Sequence, residues 1–257
     1  MKNIQISDLS LWQFEGLGKE ESIQHFVTDR TSNYTGKEFT LSYSSSPDRE
    51  GVKRNREMLA AAMGIEPRHL FFPSQVHKTR IVTVTRHTSK DELMETDSLI
   101  TNEKRLCIAV MSADCVPILL VDTRNNAIGC VHSGWRGTVA KILEKTLKEM
   151  QSQFGTTGDD LRCAIGPSVS QDSYEVGEEV VQAVRNAFGT ENKLLSPQVN
   201  GKAKLDLWKA NLQQLLEFGV KKSNVEISRL CSVKHNNHFF SARKGDTGRF
   251  AAGIMLV

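Results

Sequence analysis

The chain of 257 residues has the length of one large domain or two small ones, and it is long enough to fold without a disulfide or a structural metal. Its composition, with 39% hydrophobic and 25% charged residues, is that of a soluble globular protein. The net charge of +3 is small and the Lys and Arg residues form no dense block, so the sequence indicates neither a nucleic-acid footprint nor an anionic-membrane patch, and leaves open local attraction for one anionic substrate.

The five cysteines are an odd number, and three of them lie inside apolar runs, which is typical of reduced thiols in a cytosolic protein. The N-terminal residues show no basic stretch followed by an unbroken apolar one, and the longest apolar run, residues 116–121, is too short to cross a bilayer. We therefore expect a cytoplasmic protein with no membrane and no nucleic-acid partner.

No repeat or Gly/Ser linker interrupts the chain, so the sequence predicts a single domain over residues 1–257. In the first half, apolar spacing and β-branched residues predict one helix and six strands. The helix covers residues 52–63 and is closed by Gly64; the strands cover residues 70–76, 79–85, 97–101, 106–111, 116–122 and 127–132.

In the second half, the first predicted helix covers residues 138–153, with Thr138 as its N-cap. Two further helices are predicted at residues 176–188 and 206–218, and strands at residues 161–165, 225–231, 238–242 and 250–257. Strand runs mixed with several helices predict an α+β fold, with mixed β-sheets covered by helices.

Cys115 and His132 flank a predicted hairpin at the end opposite its turn, residues 123–126. Pairing about that turn places Pro117 opposite His132, so Cys115, which has the parity of Pro117, falls on the face of His132. A thiolate and an imidazole there either bind Zn²⁺ or act as nucleophile and general base. Taken singly, each is also explained as a buried thiol or a histidine bonded to a carbonyl. Cys130 shares the parity of His132 and is a weaker candidate.

His77 ends another apolar strand, and its spacing alone does not join it to Cys115 and His132. The separations between these residues match no compact zinc-finger pattern. A metal site made from them would therefore be an open catalytic site.

The segment SGWRG that begins at Ser133 runs directly into a predicted helix. Gly134 lets backbone N–H groups approach a ligand, and a helix N-terminus favours an anion, so Ser133 and Gly134 are candidates for phosphate binding. Arg136 adds a planar fork for phosphate. The structural alternative is a strand-to-helix loop with a surface arginine. Arg243, in a late basic cluster with Arg249, is either a solvated rim residue or a further phosphate or purine contact.

Residues 112–122 (SADCVPILLVD), followed by residues 129–143 (GCVHSGWRGTVAKIL), resemble the signature of the polyphenol-oxidoreductase, or laccase-like, family, which includes the bacterial peptidoglycan editing factor. The similarity covers roughly residues 50–257 and includes the motif Q-V-H at residues 75–77, T-D at 96–97, I-G-P at 165–167 and Y-E-V-G at 174–177. These blocks occur in the family's order, which makes the resemblance specific.

The resemblance implies an α+β fold, a zinc site formed by His77, Cys115 and His132, and nucleoside chemistry. The activities attributed to the family are phosphorolysis of adenosine, inosine, guanosine and methylthioadenosine, and deamination of adenosine. In deamination, zinc would lower the pKa of the attacking water. In phosphorolysis, Arg136 would orient the phosphate. Asp114, beside Cys115, is the nearest carboxylate to accept a proton or to orient a ligand histidine.

The chain departs from the family at two loops. The early Arg-x-Gly-Gly-x-Ser loop is replaced by residues 29–36 (DRTSNYTG), and the late Ser-Tyr-Arg-Arg becomes Ser-Ala-Arg-Lys at residues 241–244. Both lie where substrate contacts are expected. The substrate range of this chain therefore need not follow the family.

The same residues admit three rival interpretations, of which the first, a copper laccase, is rejected. A true copper laccase would need many imidazoles, typically in H-x-H pairs, whereas this chain has 7 histidines and no such pair. Copper would still bind in vitro, because its affinity for nitrogen and sulfur ligands generally exceeds that of zinc. A second interpretation makes Cys115 the nucleophile and His132 the base of a hydrolase acting on cell-wall precursors. A third is a metal-dependent binding module.

Overall fold

The computed structural model describes residues 1–33 and 37–257, which form fifteen strands and five α-helices. The strands are, in chain order, β1 (Lys2–Ile6), β2 (Leu9–Gln13), β3 (Ile23–Asn33), β4 (Leu70–Phe71), β5 (Ile81–Thr83), β6 (Ser98–Thr101), β7 (Cys107–Ser112), β8 (Val116–Asp122), β9 (Ala127–Ser133), β10 (Leu161–Ile165), β11 (Glu175–Val176), β12 (Leu195–Pro197), β13 (Ala203–Leu205), β14 (Val225–Ile227) and β15 (Phe250–Leu256). The helices are α1 (Arg49–Ala62), α2 (Trp135–Val139), α3 (Ile142–Phe154), α4 (Glu178–Phe188) and α5 (Leu207–Glu217).

Twelve of the strands form two six-stranded mixed sheets. The first sheet has the order β1-β2-β3-β15-β7-β4, and the second has the order β14-β10-β8-β9-β6-β5. In the first sheet β15 is central and antiparallel to both β3 and β7, and all seven of its residues are buried. The remaining strands form a small sheet of order β11-β13-β12.

The two large sheets pack face to face, and helices cover their outer faces. Side chains of β7 and β15 meet those of β8 and β9 in one core cluster between the sheets. The outer face of the first sheet packs against α1. The outer face of the second packs against α3, α4 and α5. The predicted α+β class, with mixed sheets covered by helices, is therefore confirmed. No described helix is both long enough and apolar enough to cross a membrane.

The hairpin of β8 and β9 has the predicted register. Pro117 lies opposite His132 and Asp122 lies opposite Ala127. Asp122 fixes the turn, since its carboxylate accepts hydrogen bonds from the backbone N–H groups of Arg124 and Asn125 at 3.0 and 2.9 Å. Both strands are buried on both faces. A slip by one residue would therefore exchange the layer between the sheets with the layer facing the helices.

The helix predicted at residues 138–153 is wrong at its start. The chain turns into α2 directly after Gly134, breaks at Lys141, whose φ is 60°, and begins again as α3. Thr138 is therefore not an N-cap. Its hydroxyl lies 2.9 Å from the Ser133 hydroxyl, inside the core. The helix predicted from residue 176 begins instead at Glu178, because residues 175–176 pair with β13.

Several predicted strands are shorter than expected. The strand predicted at residues 70–76 ends at Phe71, and the one predicted at 79–85 is confined to β5, because side-chain hydrogen bonds rather than sheet pairing hold residues 75–78. The strand predicted at 225–231 ends at Ile227. Residues 238–242 form no strand, since the chain turns there and enters a 3₁₀ turn at Ala242–Lys244.

Candidate metal centre

Three side chains from distant parts of the sequence converge at one point. One ligand atom from each of His77, Cys115 and His132 lies within 4.8 Å of the other two. The imidazole rings of His77 and His132 are 4.9 Å apart between centroids and nearly perpendicular. Within residues 1–33 and 37–257, this is the one group of three His, Cys, Asp or Glu side chains that could hold a metal.

The positions of the three residues follow from the sheet connections. His77 lies in the connection from β4 to β5, and Cys115 in the connection from β7 to β8, so both connections pass from the first sheet to the second. His132 lies near the end of β9 with the parity of Cys130, which faces the layer between the sheets. The His132 side chain is buried, whereas Cys115 is half-buried and His77 is exposed. The cluster is therefore open to solvent on the His77 side.

The buried carboxylate of Asp97 joins two of the three candidate ligands. Its Oδ1 lies 2.8 Å from Nδ1 of His132 and accepts a hydrogen bond from the backbone N–H of His77 at 3.0 Å. Its Oδ2 accepts from the N–H groups of Val76 and Lys78 at 3.1 and 2.9 Å. With its Nδ1 bonded to a carboxylate, His132 presents Nε2 to the cluster.

Gln75 fixes the other side of the His77 segment. Its side-chain amide donates to the carbonyl of Met111 at 2.8 Å and accepts from the Met111 N–H at 2.8 Å. The amide thus extends the edge of β7 without a further strand. The backbone of His77 has a φ of 62°, a value that residues other than glycine rarely adopt. The hydrogen bonds made by Gln75 and Asp97 on either side hold His77 in this conformation.

The three side chains shift one another's proton affinity. Burial would raise the pKa of Cys115, but the charge of His132 and hydrogen bonds from His132 and His77 outweigh burial and lower this pKa to about 6. Burial would lower the pKa of His132, but the charge of Cys115 and the bond to Asp97 raise it to about 9. The site therefore favours a thiolate at neutral pH. One thiolate and two imidazoles are a donor set that fits zinc.

Cys130, the weaker candidate, lies elsewhere. Its thiol is fully buried between the sheets, and its sulfur lies 3.4 Å from the carbonyl oxygen of Ala252. Burial raises the pKa of this thiol. Cys130 is therefore an inert core residue.

Gly134 packs against two residues of the cluster. A Cβ atom at this position would lie 2.8 Å from Sγ of Cys115 and 3.1 Å from Cδ2 of His77. Real Cβ atoms do not approach that closely, so any other residue here would displace a candidate ligand. The glycine expected to admit a ligand thus makes room for the cluster itself.

The cluster lies in the wall of a cleft of about 610 Å³, within the size range of small-molecule sites. Most of the other lining residues are polar: Ser42, Ser44, Ser74, Gln75, Ser112, Asp114, Tyr174, Arg243 and Arg249. The Tyr174 ring stacks under the guanidinium of Arg243 at 4.6 Å, and burial raises the pKa of Tyr174 to about 12. The phenol is therefore neutral at physiological pH.

Asp114 lines the cleft, and both of its carboxylate oxygens are engaged. Oδ1 accepts from the Ser232 hydroxyl at 2.6 Å, and Oδ2 accepts from the backbone N–H of Arg243 at 2.9 Å. The carboxylate that orients a candidate ligand histidine is Asp97, so Asp114 does not have that role. Asp114 instead joins the segment that carries Cys115 to the segment that carries Arg243.

The structure separates the other predicted phosphate ligands. The Ser133 hydroxyl is bonded to Thr138 and to Oδ1 of Asn211, because adjacent residues of a strand face opposite sides and Ser133 faces the helices. Arg136 is exposed and stacks on the ring of Trp135 at 4.3 Å, outside the residues that line the cleft. Arg243 lines the cleft, and its Nη2 donates to the carbonyl of Glu175 at 2.8 Å.

Asp97 has a place at the site that sequence reasoning did not assign. It is only one residue of a motif, and no local pattern links it to His77 and His132. Of the substituted early loop, residues 34–36 lie outside the described residues. Within that loop, the Asp29 carboxylate accepts from Trp12 Nε1 at 3.0 Å and lies 2.6 Å from Nδ1 of His238.

The chain matches the family model described as multi-copper polyphenol oxidoreductase laccase over residues 24–257. The chain belongs to this family. The resemblance inferred from its motifs is thereby confirmed.

Curated relatives in the family carry names from nucleoside metabolism. The chain is 38% identical to a purine nucleoside phosphorylase of Bacteroides thetaiotaomicron, and the match covers 97% of each chain. It is also 38% identical to adenosine deaminase RL5 of an unknown prokaryotic organism, over 77% of this chain and 79% of that protein.

Solved structures share the fold. The structure of YlmD from Geobacillus stearothermophilus superimposes with a TM-score of 0.87 at 27% identity, and covers 98% of this chain and 97% of that one. The hypothetical protein YfiH of Bacillus licheniformis has the same TM-score of 0.87 at 25% identity, with 97% of each chain covered.

We expect the purified protein to carry about one zinc ion per chain, and His77→Ala, Cys115→Ala and His132→Ala each to lose most of it. The fold should survive, because a chain of this size does not depend on a metal for stability. Elemental analysis measures the zinc content, and circular dichroism measures whether the fold is retained. Cys130→Ala, a matched cysteine outside the cluster, should keep its zinc. Full zinc in any of the three variants would remove that residue from the site.

We expect Asp97→Asn to weaken zinc binding about tenfold to a hundredfold, because losing the carboxylate loosens His77 and His132 together. Competition with a zinc chelator measures the affinity. Asp122→Asn is the control, since Asp122 is equally buried but caps the far end of the hairpin. An equal loss of affinity in both variants would assign the effect to general destabilisation.

Proposed function

We propose that this chain is a zinc-dependent purine nucleoside phosphorylase that also deaminates adenosine, with adenosine, inosine, guanosine and methylthioadenosine as substrates. The observation that carries the proposal is the cluster of His77, Cys115 and His132 in the wall of a polar cleft of about 610 Å³. The names of the relatives supply the substrate class. The five free cysteines agree with a cytoplasmic location.

The cluster suits zinc better than a multinuclear copper centre. Copper oxidase sites use many imidazoles, and the described cluster contains two. A zinc ion held by His77, Cys115 and His132 would supply a Lewis acid in the cleft wall. Asp97 keeps the two histidines oriented for that purpose, and the low pKa of Cys115 keeps a thiolate ready to bind.

Of the remaining predicted residues, one contacts substrate and the others position it or add charge. Arg243 binds phosphate in the cleft, and Asp114 positions Arg243 through its backbone N–H. Asp114 accepts a proton only if it releases Ser232 or Arg243. Arg136 adds positive charge at the rim. Ser133 holds the turn in which Gly134 leaves space for the metal ligands.

In phosphorolysis, a phosphate oxygen forms a bond to the anomeric carbon of ribose while the bond to the purine nitrogen breaks, and the purine leaves with a proton. The guanidinium of Arg243 orients the attacking phosphate. The half-buried cleft limits the access of water, which would otherwise compete as the nucleophile.

A second candidate function is a Cys–His hydrolase of the cell-wall-editing type. The observation that favours it is the low pKa of Cys115 beside the imidazole of His132, an arrangement that also activates a nucleophile. In that function the thiolate attacks a carbonyl carbon, and a metal on the sulfur would inhibit the reaction.

We expect the protein to convert inosine and phosphate to hypoxanthine and ribose 1-phosphate, and adenosine partly to inosine. Arg243→Gln should raise the Michaelis constant for phosphate about tenfold to a hundredfold, because a lost hydrogen bond to a charged group costs about 1.5–3 kcal/mol. Arg136→Ala should act in the same direction with a smaller effect, and deamination should suffer less in both variants. Equal base release with and without phosphate would indicate hydrolysis, and no release would reject the nucleoside function.

Metal dependence separates the two candidate functions. We expect chelation to abolish phosphorolysis and added zinc to restore it, because Cys115 serves as a ligand. Iodoacetamide should alkylate Cys115 readily in the metal-free protein and slowly in the zinc-loaded one, as peptide mass spectrometry would measure. Metal-free protein that stays active and is then killed by iodoacetamide would support the hydrolase.

A further inference from the structure

One wall of the cleft carries a guanidinium whose charge is not neutralised. Arg249 lines the cleft, and its Nη1 donates to the carbonyls of residues 246, 247 and 248 at 3.4, 3.0 and 2.7 Å. These bonds orient the guanidinium but leave its charge intact, because carbonyl groups carry no net charge. The arginines that form ion pairs in the described part of the chain are those at positions 30, 68, 86, 124 and 162.

A second guanidinium lies behind the same wall. Arg56 stacks between the rings of Tyr43 and Phe72, at 4.5 and 4.4 Å from their centroids. Its Nε and Nη2 donate to the carbonyl of Leu41 at 2.9 and 2.7 Å, and Nη2 lies 3.9 Å from Sδ of Met111, which lines the cleft. Burial lowers the pKa of Arg56 to about 10, so the group is still charged at neutral pH. An anion in the cleft would stabilise a charge held this way.

Two serine hydroxyl groups belong to residues that line the same cleft as Arg249. The backbone N–H of Leu41 donates to the carbonyl of Arg249 at 3.2 Å, which brings the next residue, Ser42, alongside. Ser42 is only 2% exposed, and its hydroxyl lies 3.1 Å from that of Ser44. Both serines line the cleft. Asp114 is the one carboxylate among the described lining residues; its oxygens are bonded to Ser232 and to the backbone of Arg243, and among the described residues it forms no ion pair with Arg249.

We propose that Arg249, Ser42 and Ser44 form a phosphoryl-binding subsite of the cleft, with Arg56 contributing positive charge from behind the wall. Because Nη1 of Arg249 is bonded to backbone carbonyls, its Nε–Nη2 edge is the fork that matches two phosphoryl oxygens, and the serine hydroxyls donate to the same group. The group is either orthophosphate or the 5′-phosphate of a nucleoside monophosphate. The choice of a phosphoryl anion rests on the proposed function, in which phosphate is a substrate.

The test is calorimetric binding of orthophosphate, adenosine and adenosine 5′-monophosphate to the zinc-loaded protein. We expect Arg249→Gln to weaken phosphoryl binding about tenfold to a hundredfold and to leave adenosine affinity nearly unchanged. Arg249→Lys keeps the positive charge but loses the planar fork, so its phosphoryl affinity should lie between those of the wild type and Arg249→Gln. Arg124→Gln is the matched control, because Arg124 is an exposed arginine in the turn at the far end of the hairpin. Zinc content and melting temperature confirm that each variant is folded.

The outcomes separate the ligands and the two proposals. Weaker orthophosphate binding in Arg249→Gln identifies the co-substrate as the occupant. If only the monophosphate binds, and its advantage over adenosine disappears in Arg249→Gln, the occupant is the nucleotide phosphate. Failure of both anions to bind, or equal affinities in Arg249→Gln and wild type, overturns the subsite. If the protein turns over inosine but its anion binding does not depend on Arg249, the proposed function stands and the subsite is rejected. If phosphate binds through Arg249 but no nucleoside is turned over, the subsite stands and the proposed function is rejected.

Discussion

The positions of His77 and His132 depend on the hydrogen bonds of the Asp97 carboxylate. It is fully buried, and burial alone would raise its pKa, yet the bond to His132 and three consecutive backbone N–H groups keep it ionised. A buried carboxylate is stable only when such donors surround it. Because two of these donors belong to His77 and His132, the groups that satisfy Asp97 are also the groups that hold the candidate ligands in place. The same hydrogen bonds therefore stabilise this part of the core and set the geometry of the candidate metal centre.

The location of the centre follows from the face-to-face packing of the two sheets. His77 and Cys115 lie in connections that leave the first sheet and enter the second at β5 and β8, and His132 lies near the end of β9, which pairs with β8. Such connections cannot continue the hydrogen bonding of either sheet, so their polar groups need side-chain partners. Asp97 supplies such partners for residues 76–78, and the Gln75 side chain bonds both backbone groups of Met111 at the edge of β7. Gln75 and Asp97, which satisfy the backbone where the chain crosses between the sheets, therefore also hold the candidate ligands in position.

The sequence predicted the elements whose local pattern agrees with their tertiary setting. The predicted hairpin register was correct, because both faces of the hairpin are buried and Asp122 fixes its turn, so a shifted register would place the side chains on the wrong faces. The strand predicted at residues 238–242 was wrong. Phe239 and Phe240 belong to a turn whose side chains are buried between the sheets, and their apolar character alone does not distinguish such a turn from a strand. The same strand parity that joined Cys115 to His132 sends Ser133 to the opposite face. Its assignment to phosphate overlooked that consequence. The convergence of His77 came from family resemblance, since spacing carries no information about which loops cross between sheets.

Charge in the cleft is a local property that the net charge of +3 does not anticipate. A phosphate that approaches the centre meets the thiolate of Cys115 and the carboxylate of Asp114, both of which repel it. The bonds from Ser232 and from the Arg243 N–H reduce the repulsion by Asp114. Arg243 and Arg249 line the same cleft, and Arg56 lies behind it, so three guanidinium groups surround the space an anion would enter. Coulomb attraction is stronger beside a low-dielectric protein wall than in bulk water, and salt screens it less there. The same guanidinium groups on an exposed surface would bind phosphate only weakly, so it is their placement around the cleft that favours an anionic substrate.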